Sequence, residues 1–266
     1  MGKGTNYEAK IPDANGIIPY TDEENAIWHD LITRQRPIVE RYAAPEYLEA
    51  LERMNFPTDH IPQPEETSAV IRQYTGWEVA PVPALIPFGE FFRLLADKKF
   101  PAASFIRTRE EFDYLQEPDI FHEVFGHTPL LTDPRFAEFT HAYGKAGLTA
   151  SKEDRVMLAR LYWFTVEFGL MNTPAGLKTY GAGIVSSVGE TPYSIDSDKP
   201  IRKPFDPLEV LRTPYRIDIY QTVYFVIDSL DQLFETAKLD LFGLIAEARR
   251  LGMREPTYPP VEKAAS

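Results

Sequence analysis

The stretch ARLYWFTVEFGLM, Ala159 to Met171, is apolar nearly all round and contains one acid, Glu167. A helix with that pattern is buried on every side. A carboxylate there costs several kcal/mol unless it is protonated, paired or bound to a cation. One answer is an ion pair with Arg160 on the same segment. The other is a metal ion shared with ligands from elsewhere in the chain. The 266-residue sequence has no cysteine, which removes disulfides, thiolate metal sites and a cysteine nucleophile together. Any metal must therefore sit on nitrogen and oxygen.

A second stretch, PDIFHEVFGHTPLL from Pro118 to Leu131, holds two of the five histidines, His122 and His127. Helical spacing of five puts two side chains about 140° apart, whereas the HExxH of zinc peptidases uses a spacing of four to put both ligands on one face. Convergence of His122 and His127 requires a departure from the regular helix. Gly126, with Thr128 restricted by Pro129, permits one. Two readings stand: a pair of histidines satisfied in a core or at a surface, or two ligands completed by Glu167. The second gives the facial set of two histidines and one carboxylate that holds non-haem iron(II) and leaves the opposite face open. Glu123, next to His122 on the chain, must point elsewhere, either toward solvent or toward a cosubstrate beside the metal. His29, His60 and His141 have no metal spacing.

A formal charge of −12 and a pI near 5.0 repel phosphate backbones, so nucleic acid is an unsuitable partner. The mean hydropathy of −0.30, with no apolar run long enough for a bilayer, excludes a membrane-spanning helix. The start, MGKGTNYEAK, lacks the apolar region of a secretory signal and misses the myristoylation pattern, which makes a cytoplasmic location the expectation.

Residues 1–20 read as an extended arm. Thr21 with Glu24 forms a capping box for a first helix running toward Pro37, and a second helix covers about Pro45–Met54. Prolines are dense between Phe56 and Phe88, which reads as an irregular connection draped over a core. FGEFFRLLADKKF is a helix, SFIR at Ser104–Arg107 a short strand, and Pro134–Gly147 a further helix. Ser151 caps the next helix, which continues to about Met171. YGAGIVSSVGE reads as a strand or loop, and Leu230–Leu251 as one or two closing helices. The expected fold class is mainly α with a few short strands (α+β), arranged as one domain over 1–266.

PDIFHEVFGHTPLL, YWFTVEFGL and YGAGIVSSVGE, in this order and at this separation, resemble the catalytic domain of the pterin-dependent aromatic amino acid hydroxylases. The resemblance spans about Trp77 to Phe225 and is closest to bacterial members that act on phenylalanine. It implies a single catalytic domain of that type, with no regulatory or tetramerisation domain, and hence a monomer. It also implies iron(II) and tetrahydrobiopterin or a related tetrahydropterin as cofactors. The implied reaction hydroxylates L-phenylalanine to L-tyrosine with dioxygen.

Residue by residue, the resemblance makes His122, His127 and Glu167 the iron ligands. Arg107 falls where the family binds the substrate carboxylate, the alternative being a surface salt bridge to Glu110 or Glu111. Ser186 and Ser187 match the serines that orient the amino acid and the neighbouring histidine ligand. Trp163, four residues before Glu167, corresponds to the aromatic wall of the substrate pocket. Phe91, with Leu85, Ile86 and Glu123, corresponds to the pterin site. The sequence departs from animal members at Pro101, where they have histidine, and at Leu115, where they have threonine. Trp163 and Ile217 read as phenylalanine-type, with relaxed activity on tryptophan expected because apolar pocket contacts discriminate by only about 1–3 kcal/mol. Two other classes remain: a zinc hydrolase with Glu123 as general base, and a helical binding module whose histidines satisfy a core.

Overall fold

The structure, a computed structural model, describes residues 7–83, 85–113, 115 and 117–259. Helices dominate: α1 (Asp22–Tyr42), α2 (Pro45–Met54) and α3 (Pro64–Thr75) precede strand β1 (Glu78–Val82), α4 (Phe88–Ala96) and β2 (Lys99–Ala103). A π-helical segment (His122–His127) and a 3-10 turn (Pro129–Thr132) then lead into α5 (Pro134–Thr149) and α6 (Lys152–Tyr162). A second π segment (Trp163–Glu167) runs directly into β3 (Gly169–Thr173), followed by β4 (Gly176–Thr179), α7 (Ala182–Val185) and α8 (Glu190–Asp196). β5 (Ile201–Pro204), α9 (Pro207–Arg212), β6 (Val223–Ile227), α10 (Leu230–Thr236) and α11 (Leu241–Leu251) complete the order. β1 and β2 form a parallel pair, and the other four strands a mixed sheet in the order β4-β3-β6-β5.

The capping box at Thr21 forms: its hydroxyl accepts the Glu24 N–H, and the Glu24 carboxylate accepts the Thr21 N–H at 2.7 Å. That helix runs past Pro37 to Tyr42. The proline-dense connection is more regular than its composition implies. Pro64 takes the first position of α3, where a missing N–H is harmless, and Pro81 lies in a two-stranded sheet. The strand expected at Ser104–Arg107 lies one step earlier, at β2, and 104–107 is irregular. The helix expected to reach Met171 stops at Glu167, because Gly169–Thr173 pairs with both β4 and β6. The segment read as a strand or loop around Gly181 contains the short helix α7.

One large cluster of buried side chains runs from Ile27 in α1 to Ala248 in α11, with Trp28, Trp77, Phe92, Phe125 and Leu161 fully enclosed. The chain ahead of α1 is tied to it: Tyr7 stacks on Phe105 at 4.4 Å, and the Lys10 N–H donates to Ser104 Oγ. α4 and α5 cross so closely that a Cβ on Gly147 would stand 1.9 Å from the Phe92 ring. Alanine gains about 1 kcal/mol of helix propensity over glycine, but overpacking against a ring that cannot withdraw costs up to about 3 kcal/mol. Gly147→Ala is therefore expected to lower the melting temperature by up to roughly 4 °C in a calorimetric scan; an unchanged or raised value would contradict the packing.

Candidate metal centre and its surroundings

His122 and His127 are brought together by the backbone. In a π turn the hydrogen bonds run from residue i to i+5, so a spacing of five returns to the same face instead of splaying by about 140°. The two Nε2 atoms come within 3.1 Å of each other. The carbonyls of this wider turn find side-chain donors: Tyr47 Oη reaches Phe125 O at 2.6 Å and Thr128 Oγ1 reaches Val124 O at 2.7 Å. Gly126 lies against α7, where a Cβ would meet Ala182 O at 2.9 Å.

The second π segment delivers the carboxylate. Phe168 N–H bonds Trp163 O at 2.9 Å, closing a five-residue turn that ends on Glu167. Glu167 Oε1 is 3.1 Å from His127 Nε2, and Oε2 is 3.6 Å from His122 Nε2. Arg160, the alternative partner, instead points Nη1 at Met157 Sδ.

Burial alone would raise the Glu167 carboxyl, but the two imidazoles outweigh it and hold the group below the usual carboxylate range. Burial lowers His122 to about 4, so its ring is neutral at physiological pH. His122 Nδ1 lies 2.9 Å from Ser186 Oγ, whose own proton is committed to Ala182 O at 2.7 Å. That network assigns the proton to Nδ1 and leaves Nε2 with its lone pair facing the other two donors. Buried His127 Nδ1 has no hydrogen-bond partner among the described residues.

Three donors on a common centre suit a cation. Ligands about 2.1 Å from an ion and at right angles lie about 3.0 Å apart, close to the observed 3.1 to 3.6 Å spacings. Glu123 belongs to the same neighbourhood, since His122, Glu123 and His127 offer atoms within 4.8 Å of one another. Its carboxyl, however, stays 3.9 Å from His127 Nε2, farther than Glu167. Burial, then the charges of Glu167 and Asp119, push Glu123 well above the carboxylate range despite a hydrogen bond from the Ala103 N–H. It lies beside the triad, and the tighter set is His122, His127 and Glu167.

Arg107 is buried, and its guanidinium grips Asp119 through Nε at 2.8 Å and Nη2 at 2.9 Å. The surface bridge to Glu110 or Glu111 does not form. Among the described residues, Nη1 has no hydrogen bond. Asp119, which sequence reasoning missed, also accepts the Arg107 N–H at 3.0 Å and the His122 N–H at 3.1 Å, so one fully buried carboxylate joins the arginine to the π segment. Gln35, also missed, donates from α1 to Val185 O at 2.7 Å and to Thr191 Oγ1 at 3.1 Å, pinning the turn that carries Ser186. The Ser187 hydroxyl accepts the Glu190 N–H at 3.2 Å, with no hydrogen bond to either histidine among the described residues.

Aromatic rings enclose the triad. Phe100 lies 4.8 Å from the His127 ring, Tyr162 stacks beyond it at 6.2 Å, and Phe91 meets Tyr162 edge-on at 5.5 Å. Trp163 stacks on Tyr215 at 4.4 Å and meets the tilted Phe168 ring at 4.6 Å. Leu85 is exposed and Ile86 half-buried in the turn before α4.

Residues 4–244 match the family of biopterin-dependent aromatic amino acid hydroxylases, and the chain belongs to that family. It is 56% identical to the phenylalanine-4-hydroxylase of Pseudomonas aeruginosa over 98% of this chain and 100% of the relative. It is 52% identical to that of Vibrio cholerae over 97% and 90%. Among solved structures, the apo cold-active phenylalanine hydroxylase of Colwellia psychrerythraea 34H matches with a TM-score of 0.94 at 56% identity, covering 97% of this chain and all of that one. The Chromobacterium violaceum phenylalanine hydroxylase with bound oxidised Fe(III) matches with a TM-score of 0.88 at 42% identity over 95% and 92%.

Ser186 bonds the candidate ligand His122, so Ser186→Ala is expected to weaken iron(II) binding by about 10–100-fold, the usual cost of losing an outer partner. Glu167→Gln should weaken it further, by more than about 100-fold. Both are measured by equilibrium competition with a chelator, and full retention of iron by Glu167→Gln would remove that carboxylate from the ligand set.

Proposed function

We propose that this chain is a phenylalanine 4-monooxygenase that converts L-phenylalanine to L-tyrosine with dioxygen and a tetrahydropterin. Its iron(II) is held by His122, His127 and Glu167. The observation that carries the reading is the convergence of those three donors, two imidazoles and one buried carboxylate, on a chain 56% identical to a phenylalanine-4-hydroxylase along its length. When bound, iron(II) and the reduced pterin together supply the electrons and the binding position for dioxygen activation.

The protein's own residues do the rest. Ser186 keeps the His122 lone pair turned to the metal. Arg107 offers Nη1 to the substrate carboxylate, and Asp119 holds the guanidinium rigid so that little freedom is lost on binding. Trp163 walls the ring of the amino acid, while Phe91, Leu85 and Ile86 border the pterin. Glu123, whose burial favours the uncharged form, faces the pterin edge. Phe100, Tyr162 and the apolar faces of both π segments keep water away from the reacting ring.

Against a zinc hydrolase stands the 56% identity to a phenylalanine-4-hydroxylase over 98% of this chain and the whole of that relative. No helix among the described residues is long and apolar enough to cross a membrane. A cytoplasmic monomer completes the reading, checked by fractionation and light scattering.

Tyrosine formation by the iron-loaded protein is expected to require added tetrahydropterin, and turnover that survives its omission would reject the proposal. Arg107→Ala would strand Asp119 as an unpaired buried charge at a cost of about 3–5 kcal/mol, so Arg107→Lys is the cleaner variant. It keeps the cation and loses the fork. The KM for phenylalanine should rise about tenfold with iron content at the parent value; an unaltered KM would move the carboxylate clamp elsewhere.

A further inference from the structure

Glu190 opens α8 as a buried acid with no role in the mechanism above. No salt bridge to it is found among the described residues, and burial raises its carboxyl to about 7. Instead of a cation it gathers two neutral donors on one oxygen: Tyr224 Oη–H at 2.6 Å and the main-chain N–H of Gln221 at 3.0 Å. Gln221 is itself buried, and its carboxamide is fully used. Nε2 donates to Arg216 O at 2.9 Å and Ile219 O at 3.3 Å, which turns Oε1 the other way, to accept the Trp163 indole N–H at 3.0 Å.

Stacking on Tyr215, with Phe168 tilted against it, fixes the plane of the Trp163 ring but leaves it free to slide or turn within that plane. The directed N–H···O bond removes that freedom. It originates in a loop whose end is nailed down by Glu190, 31 residues away along the chain from Gln221.

We propose that Glu190 is a positioning residue for Trp163: by holding the Gln221 main chain, it sets where the Gln221 carboxamide meets the indole and so fixes the tryptophan's place in the pocket. Its effect on substrate choice rests on the functional reading above, in which Trp163 faces the amino-acid ring. Looser placement of that wall should blunt discrimination between a phenyl and the larger indole side chain. Glu190→Gln keeps an acceptor oxygen for both donors, Glu190→Asp withdraws it by one methylene, and Glu190→Ala removes it.

Two readouts separate this role from a merely structural one. Trp28 and Trp77 are fully buried, so acrylamide quenching of the iron-loaded protein reports on Trp163, the partly exposed tryptophan. The ratio of kcat/KM for phenylalanine to that for tryptophan reports on the pocket. In Glu190→Ala and Glu190→Asp, quenching should rise above the parent value and the preference for phenylalanine should fall about tenfold. Glu190→Gln should stay near the parent on both, with iron content unchanged throughout. If Ala fails to fold, Asp decides. Lower thermal stability with quenching and preference both at parent values would overturn the proposal. Raised quenching with an unaltered preference would uphold the tie to Trp163 and show instead that Trp163 does not face the substrate.

Discussion

A carboxylate buried in an apolar segment and two imidazoles five residues apart each violate the rules of an ordinary core, and each is resolved by the other. Glu167 lies 3.1 Å from His127 and 3.6 Å from His122, so three groups that would be costly alone share one centre. Neither residue pair could get there from regular helices. Both segments are π turns, and each carries its candidate ligands at a turn boundary: His122 and His127 at the two ends of one, Glu167 at the last position of the other. Wider turns weaken the backbone ladder, a cost that recurs at functional sites. Here the hydroxyls of Tyr47 and Thr128 take up carbonyls of the first segment, and that of Thr165 the Leu161 carbonyl just ahead of the second.

Around that centre the fold supplies orientation more than contact. Asp119 ties Arg107 to the first π segment, Ser186 fixes a histidine tautomer, and Gln35 fixes the turn that bears Ser186. β3 begins two residues after Glu167 and pairs on both sides, so the second π segment is anchored at its exit by a sheet. Burial and neighbouring charges push the Glu123 carboxyl up, while the two imidazoles hold that of Glu167 down. Environment, not residue type, separates their roles.

The chemistry was more legible in the sequence than the geometry was. One acid in an oily segment, two nearby histidines and no cysteine are matters of residue type, and they pointed to Glu167, His122 and His127. The capping box at Thr21 was legible for the same reason, being local. The π turns were not, because a spacing of five argues against convergence under helical geometry. The proline-dense stretch misled in the other direction, since Pro64 begins a helix instead of preventing one. Gln35, Gln221 and Glu190 gave no signal: their partners lie 150, 58 and 34 residues away, and a buried polar side chain is recognisable only once its partner is in place.

The central claim is that Glu167, not Glu123, completes the metal seat with the two histidines. Diffraction from iron(II)-loaded crystals, with anomalous data at the iron edge, tests it most directly. The account predicts one iron within about 2.2 Å of His122 Nε2, His127 Nε2 and the Glu167 carboxylate. Iron ligated by Glu123 with Glu167 turned away, or bound outside the two π turns altogether, would contradict it.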